Sequence, residues 1–194
     1  MSRRREVRLG VHGFTLLELM ITIGIVGVLM VLAAPSFVTF KRNSELTSAA
    51  NALLAGFNTA RSEAMKRNVY AGIVPNDGSD WASGWKIFVD ANLNGGLDSG
   101  ETVVFTRAGL PSYFTVTGTG NAQGTAPYAL FNGSGYATSK SGALGPLTIT
   151  IARNDLTGTA LLPETRRLML AISGRTRICT PASANDAKCA ASGS

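Results

Sequence analysis

Hydrophobic and polar positions fall into three regimes along the chain. After Glu18 no charged residue occurs from Leu19 to Phe40, a run longer than the roughly 20 apolar residues that span a hydrocarbon core. Beyond it the apolar positions thin to Leu46, Ala49, Ala50, Leu53, Leu54, Phe57, Ala60, Ala64 and Met65, interleaved with Lys41, Arg42, Glu45, Asn51, Arg61, Glu63, Lys66 and Arg67. These three- and four-residue steps predict a helix with one buried stripe. Asn68 reads as its C-cap, with Lys66 and Arg67 favourably placed against the helix dipole. Pro35, inside the helical stretch, predicts a kink rather than an end.

From Val69 onward the pattern shortens. It predicts strands at Val69–Val74, Trp85–Val89, Thr102–Arg107, Phe114–Thr117, Tyr128–Phe131, Leu147–Ile151, Arg167–Ile172 and Thr176–Cys179, separated by Gly/Ser/Asn-rich breaks. A helix followed by strands argues for an α+β fold: a long, kinked N-terminal helix packed by its second half on an antiparallel β-sheet domain.

Charge refines this picture. Arg3, Arg4, Arg5 and Arg8 precede the apolar run, which keeps the N-terminus cytoplasmic. The run is too long for a secretory signal, whose apolar region is about 7–15 residues and ends at an A-x-A-like site. Of the net charge of +6, +3 lies in residues 1–13, and from Lys140 onward seven Lys/Arg face three acids. The basic character of the rest therefore concentrates near the C-terminus. Cys179 and Cys189, the only cysteines, read as a disulfide in an oxidising compartment. Catalysis finds little support. The single histidine is His12, so no Ser-His-Asp or Cys-His arrangement can be assembled from the domain, and no Gly-rich loop of nucleotide-binding spacing is present. A structural or binding protein without a cofactor is expected.

Gly13-Phe14-Thr15-Leu16-Leu17-Glu18 resembles the cleavage and methylation signature of type IV pilins and type II secretion pseudopilins. The resemblance continues through Pro35, Ala60–Asn68 and Trp81–Glu101, which look like the minor-pilin/pseudopilin H family, the FimT/FimU/GspH-like group. It implies a type IV pilin-like fold. A leader, residues 1–13, is removed by prepilin peptidase between Gly13 and Phe14, and the new Phe14 amine is methylated. Residues 14–40 form the transmembrane and filament-core helix, 41–68 its amphipathic half, and 69–194 a periplasmic β domain with a C-terminal disulfide loop. Glu18 in lipid needs a partner; in the family this is the positive N-terminus of a neighbouring subunit, the alternative being an acid tolerated at the interface. Implied partners are other major and minor pilins through the N-terminal helix and the inner membrane before assembly. The implied location is the inner membrane, single-pass, and extracellular once in a pilus.

Two stretches carry candidate chemistry. Asp90-Ala-Asn92-Leu-Asn94-Gly95, followed by Glu101, fits the calcium-loop pattern D-x-N-x-N-G-x₅-E. Its flanks read as strands rather than EF-hand helices, and Asn, Asp and Gly are equally what a long hairpin loop uses. The second stretch is Gly174-Arg175-Thr176-Arg177, directly before Cys179. In a strand Arg175 and Arg177 share a face, and two guanidiniums on one face suit phosphates. Arg166, Arg167 and Lys188 are candidates to widen the patch. The G-R-x-R stretch resembles the C-terminal DNA-binding motif of competence minor pilins, which implies binding of double-stranded DNA for natural transformation. The alternative is a minor pilin or type II pseudopilin that primes assembly and protein export without DNA, its arginines a solvated pair.

Overall fold

The computed structural model describes residues 13–191, the side chains of residues 32–35 excepted. The chain divides into two compact units at Arg42/Asn43, and one helix, α1 (Leu16–Arg67), contributes to both.

In the first unit Thr15 caps α1. Its hydroxyl accepts the Glu18 N–H at 3.1 Å and its carbonyl accepts the Leu19 N–H at 3.1 Å, which satisfies donors that a helix start otherwise leaves unpaired. Leu16, Leu19, Ile23, Val26 and Met30 are all exposed. A helix apolar all round requires lipid or other helices as its surroundings. Among the described residues no single helix is long and apolar enough to cross a membrane; Leu16–Val31 and Ser36–Arg67 meet that requirement only as a pair. The kink expected at Pro35 falls within residues 32–35, whose side chains lie outside the described ones.

In the second unit most of the predicted stripe is buried: Leu46, Ala49, Ala50, Leu53, Phe57, Ala60 and Ala64 turn inward and Leu54 is half-buried, whereas Met65, at the stripe's end, is exposed. Asn68 ends the helix with φ 55°, and the Val69 N–H closes back on the Ala64 carbonyl at 3.3 Å. That six-to-one bond across a left-handed residue is the Schellman stop.

Nine strands follow among the described residues: β1 (Tyr70–Pro75), β2 (Trp85–Asp90), β3 (Thr102–Arg107), β4 (Phe114–Gly118), β5 (Ala129–Phe131), β6 (Ala137–Thr138), β7 (Leu147–Arg153), β8 (Thr165–Leu170) and β9 (Thr176–Cys179). They form two antiparallel sheets, ordered β3-β2-β1-β5-β6 and β4-β7-β8-β9. Ile73, Ile87, Trp85 and Phe131 of the first, with Ile149, Ile151, Leu168 and Leu170 of the second, build one core with the helix stripe. Phe57 meets Phe131 edge to face at 6.2 Å. Trp81 is buried at the start of the β2–β3 hairpin, where its Nε1 donates to the Ala122 carbonyl at 3.0 Å. The α+β expectation holds, and β6 is the one strand that the sequence pattern did not predict.

Candidate functional site

β8 and β9 form a hairpin closed by Ile172, Ser173 and Gly174. The Gly174 N–H donates to the Ala171 carbonyl and the Ala171 N–H to the Arg175 carbonyl, both at 2.9 Å. This three-residue closure calls for a left-handed residue at its last position, and Gly174 supplies it with φ 77°. A second loop crowds the same point: a Cβ on Gly174 would stand 1.8 Å from the Gly135 carbonyl oxygen. Arg61 of α1 ties the two loops together, donating from Nε to Gly135 O at 2.9 Å and from Nη2 to Ser173 O at 3.3 Å. Gly174 is thus a turn residue with protein backbone against it, not an open approach for a ligand.

The register places Arg177 opposite Met169 and Cys179 opposite Arg167. Strand alternation then sets Arg167, Met169, Arg177 and Cys179 on one face, while Leu168 and Leu170 point to the helix. Arg175 and Arg177 are exposed and, with Met169 and Ala171, line a cavity of about 360 Å³. The shared face expected for the two arginines is present.

Cys179 and Cys189 are joined in a disulfide, Cα–Cα 5.8 Å, which ties the C-terminal segment to this face. Arg167 donates from Nη1 to Cys189 O, and Arg177 from Nη2 to Lys188 O at 2.6 Å. Lys188 itself is exposed. Asp186 organises the loop from inside, accepting from the Ala182 N–H at 3.0 Å and the Lys188 N–H at 2.9 Å. These backbone donors, Ala182 first, hold its carboxyl below the usual carboxylate range.

Arg166 corrects the sequence expectation. One residue from Arg167, it lies on the opposite face, where Nη2 donates to Asn43 Oδ1 at 2.8 Å and Thr47 Oγ1 at 3.2 Å. Its Nη1 donates to the carbonyls of Pro163 and Thr165, and burial lowers its pKa. It fastens α1 to β8 and does not widen the patch.

The calcium-type stretch connects β2 to β3. Asp90 is fully buried and receives the N–H groups of Asn94 and Gly95; Glu101 receives those of Ala91 and Asp98. The amides of Asn92 and Asn94 donate to Asp98, which lowers its pKa. The carboxylate oxygens of this stretch thus accept the loop's own donors. No group of three or more His, Cys, Asp or Glu arranged for a metal occurs among the described residues. These contacts fit the hairpin reading of Asp90, Asn92, Asn94 and Glu101.

At the other end, Gly13, Phe14 and Thr15 precede the helix in non-helical conformation, and Phe14 is 83% exposed. Glu18 is exposed in the first turn. Sequence reading passed over three residues that shape these sites. Thr15 had a signal, the T-x-x-E spacing of a capping box. Asp186 had a local one, an Asp that caps the turn two residues on; Arg61 had none, since its partners are backbone atoms set by tertiary folding.

Residues 49–175 match the family described as Type II transport protein GspH, and residues 8–34 the prokaryotic N-terminal methylation motif. The first match ends at Arg175, so Arg177 and the disulfide loop lie beyond it. Pilin-like protein PilA1 of Thermus thermophilus is 38% identical over 106 residues, 54% of this chain and 65% of that protein. The match thus spans just under two thirds of that relative. Among solved structures, the type IV minor pilin FimU of Pseudomonas aeruginosa is similar with a TM-score of 0.54 at 24% identity, covering 74% of this chain and 98% of FimU. The minor pseudopilin EpsH from the Type 2 Secretion System of Vibrio cholerae gives 0.50 at 14% identity, covering 72% and 99%. At such identities the likeness speaks to the fold, which is type IV pilin-like.

Proposed function

The chain belongs to the GspH family of pilins and pseudopilins, and from that premise we propose that it is a minor type IV pilin whose C-terminal basic face binds double-stranded DNA for uptake in natural transformation. The observation that carries the DNA role is the pair Arg175 and Arg177, exposed around one cavity on the outer face of the β8–β9 hairpin. Lys188 stands exposed on the loop that Arg177 holds. Guanidiniums so placed bind phosphate oxygens in pairs. Contacts of that kind are indifferent to base sequence and weaken steeply with salt.

The rest of the reading follows from the N-terminus. Residues 1–13 are a leader that prepilin peptidase removes between Gly13 and Phe14, a bond lying just ahead of the Thr15 cap. Residues 14–40 anchor the chain in the inner membrane and later enter the filament core, 41–68 continue the helix, and 69–194 form the periplasmic domain. Glu18 pairs with the Phe14 amine of a neighbouring pilin, because a carboxylate in an apolar environment is costly without a partner. The protein acts by binding and assembly, not by catalysis.

A mobility-shift series with duplex DNA at several salt concentrations tests the DNA role. Arg175→Gln/Arg177→Gln is expected to abolish the shift while the domain stays folded; a double mutant that binds as wild type refutes it. A second reading, a type II secretion pseudopilin that primes assembly without DNA, is favoured by the match to Type II transport protein GspH. A wild-type protein that shifts no duplex even at low salt selects it.

A further inference from the structure

The basic side chains around the cavity are not equivalent. The Arg175 side chain has no hydrogen-bond or ion-pair partner among the described residues and is exposed. Arg177 is exposed too, but gives Nη2 to the Lys188 carbonyl. Arg167 is half-buried, gives Nη1 to the Cys189 carbonyl, and keeps Nε in the interior without a partner. Both acceptors are main-chain oxygens of the loop that the Cys179–Cys189 bridge closes.

The identity of those acceptors matters. A carboxylate in their place would orient the guanidiniums and cancel their charge; a neutral carbonyl orients them and leaves the charge for an anion. The one acid between Thr180 and Ala191 is Asp186. Its carboxylate is turned onto the N–H groups of Ala182 and Lys188. The loop therefore supplies acceptors to the arginines while its negative group is occupied within the loop.

We propose, resting on the DNA-binding reading above, that the Cys179–Cys189 loop is the positioning arm of the anion site. Arg175 and Arg177 take phosphate. Arg167 takes none: it holds the loop in place through Cys189 O, and the loop in turn holds Arg177 through Lys188 O. A long side chain fixed before the ligand arrives need not be ordered on binding, which removes one cost of association.

The test uses the full-length protein in detergent, a duplex of fixed length, and a series of potassium chloride concentrations. Arg175→Gln deletes a phosphate contact, so the slope of log K against log salt is expected to shrink by about one. Arg167→Met and Cys179→Ser/Cys189→Ser are expected to weaken binding about three- to tenfold, the scale of one side chain left to be ordered, with the wild-type slope retained. Arg167→Lys, which can still donate to Cys189 O, recovers part of the loss. Reduction of the wild type by dithiothreitol reproduces the cysteine double mutant and guards against misfolding of the variants. A slope lowered by about one in Arg167→Met makes Arg167 a phosphate ligand and overturns the proposal. So does reduced protein that binds as tightly as oxidised. Wild-type protein that fails to shift DNA overturns the DNA reading itself, and this proposal with it, a result distinguishable from the other two.

Discussion

Replacing Gly174 by alanine separates two roles that one glycine in a G-R-x-R stretch can have. If it is there to let phosphate approach, alanine weakens DNA binding at constant stability. The geometry predicts instead a loss of stability. Holding an L-residue at φ 77° costs about 1–2 kcal/mol. The new Cβ would also stand 1.8 Å from the Gly135 carbonyl oxygen, a main-chain atom with no flexible end to swing away. One of the two loops must shift, and Arg61 then loses its bond to Gly135 O or Ser173 O. A hydrogen bond from a charged donor is worth about 1.5–3 kcal/mol. The sum is about 3 kcal/mol or more, or about 6–12 °C in melting temperature at the roughly 2–4 °C per kcal/mol typical of this size. Gly142 provides the control: its φ is 81°, but a Cβ there meets nothing within 4 Å. Gly142→Ala is expected to lose about 1–2 kcal/mol through conformation alone. Thermal unfolding of both variants, followed by circular dichroism, reads the difference. A Gly174→Ala protein that melts no lower than Gly142→Ala refutes the packing argument.

Three further outcomes are expected. Glu18→Ala leaves membrane insertion intact but is not incorporated into filaments, read by fractionation of membranes and sheared pili; normal incorporation sinks the pairing with a neighbour's Phe14 amine. Calcium leaves the melting temperature unchanged, because the Asp90 and Glu101 carboxylates already accept the loop's own N–H groups; a saturable rise on titration contradicts that. Asp186 has a lowered pKa, so its hold on the loop is complete above the ordinary carboxylate value and is lost as pH falls through its lower folded value. Protection of the Ala182 and Lys188 amides, measured against their intrinsic exchange rates, should fall as pH drops below the ordinary carboxylate range, and Asp186→Asn should abolish that dependence.

Much of this fold was legible in the sequence because burial imposes periodicity. The strands Thr102–Arg107 and Thr176–Cys179 agree with the pattern residue for residue, and the helix stripe from Leu46 to Ala64 does so but for the half-buried Leu54. Asn68 announced the helix stop because few other residues accept φ 55° readily. β6 left no trace, since two residues are too few to show alternation. The site was half legible. Alternation alone put Arg175 and Arg177 together. It could not say which of the neighbours Arg166 and Arg167 faces outward, because that depends on register: Ile151 pairs with Arg166, while Arg167 pairs with Cys179 across the next ladder. The Asp90–Glu101 template meets a different limit of sequence reading. Spacing fixes which oxygens are near one another, but not whether backbone N–H groups reach them first.

The position of β9 bears on how far the arginines argue for a ligand. β9 is an edge strand, and an exposed edge invites pairing with another chain unless charge or a covering segment blunts it. Arg175, Arg177 and the tethered loop meet that need by themselves, so basic residues here have a use without DNA. Edge protection, however, asks only for charge and cover. It does not ask that the loop's single acid be turned away from the arginines, nor that their restraint come from neutral carbonyls at Lys188 and Cys189. An acidic residue facing Arg177 would protect the edge as well and hold the side chain at least as firmly. What edge protection leaves unexplained is the preserved positive charge, and an anionic partner is what gives that charge a use.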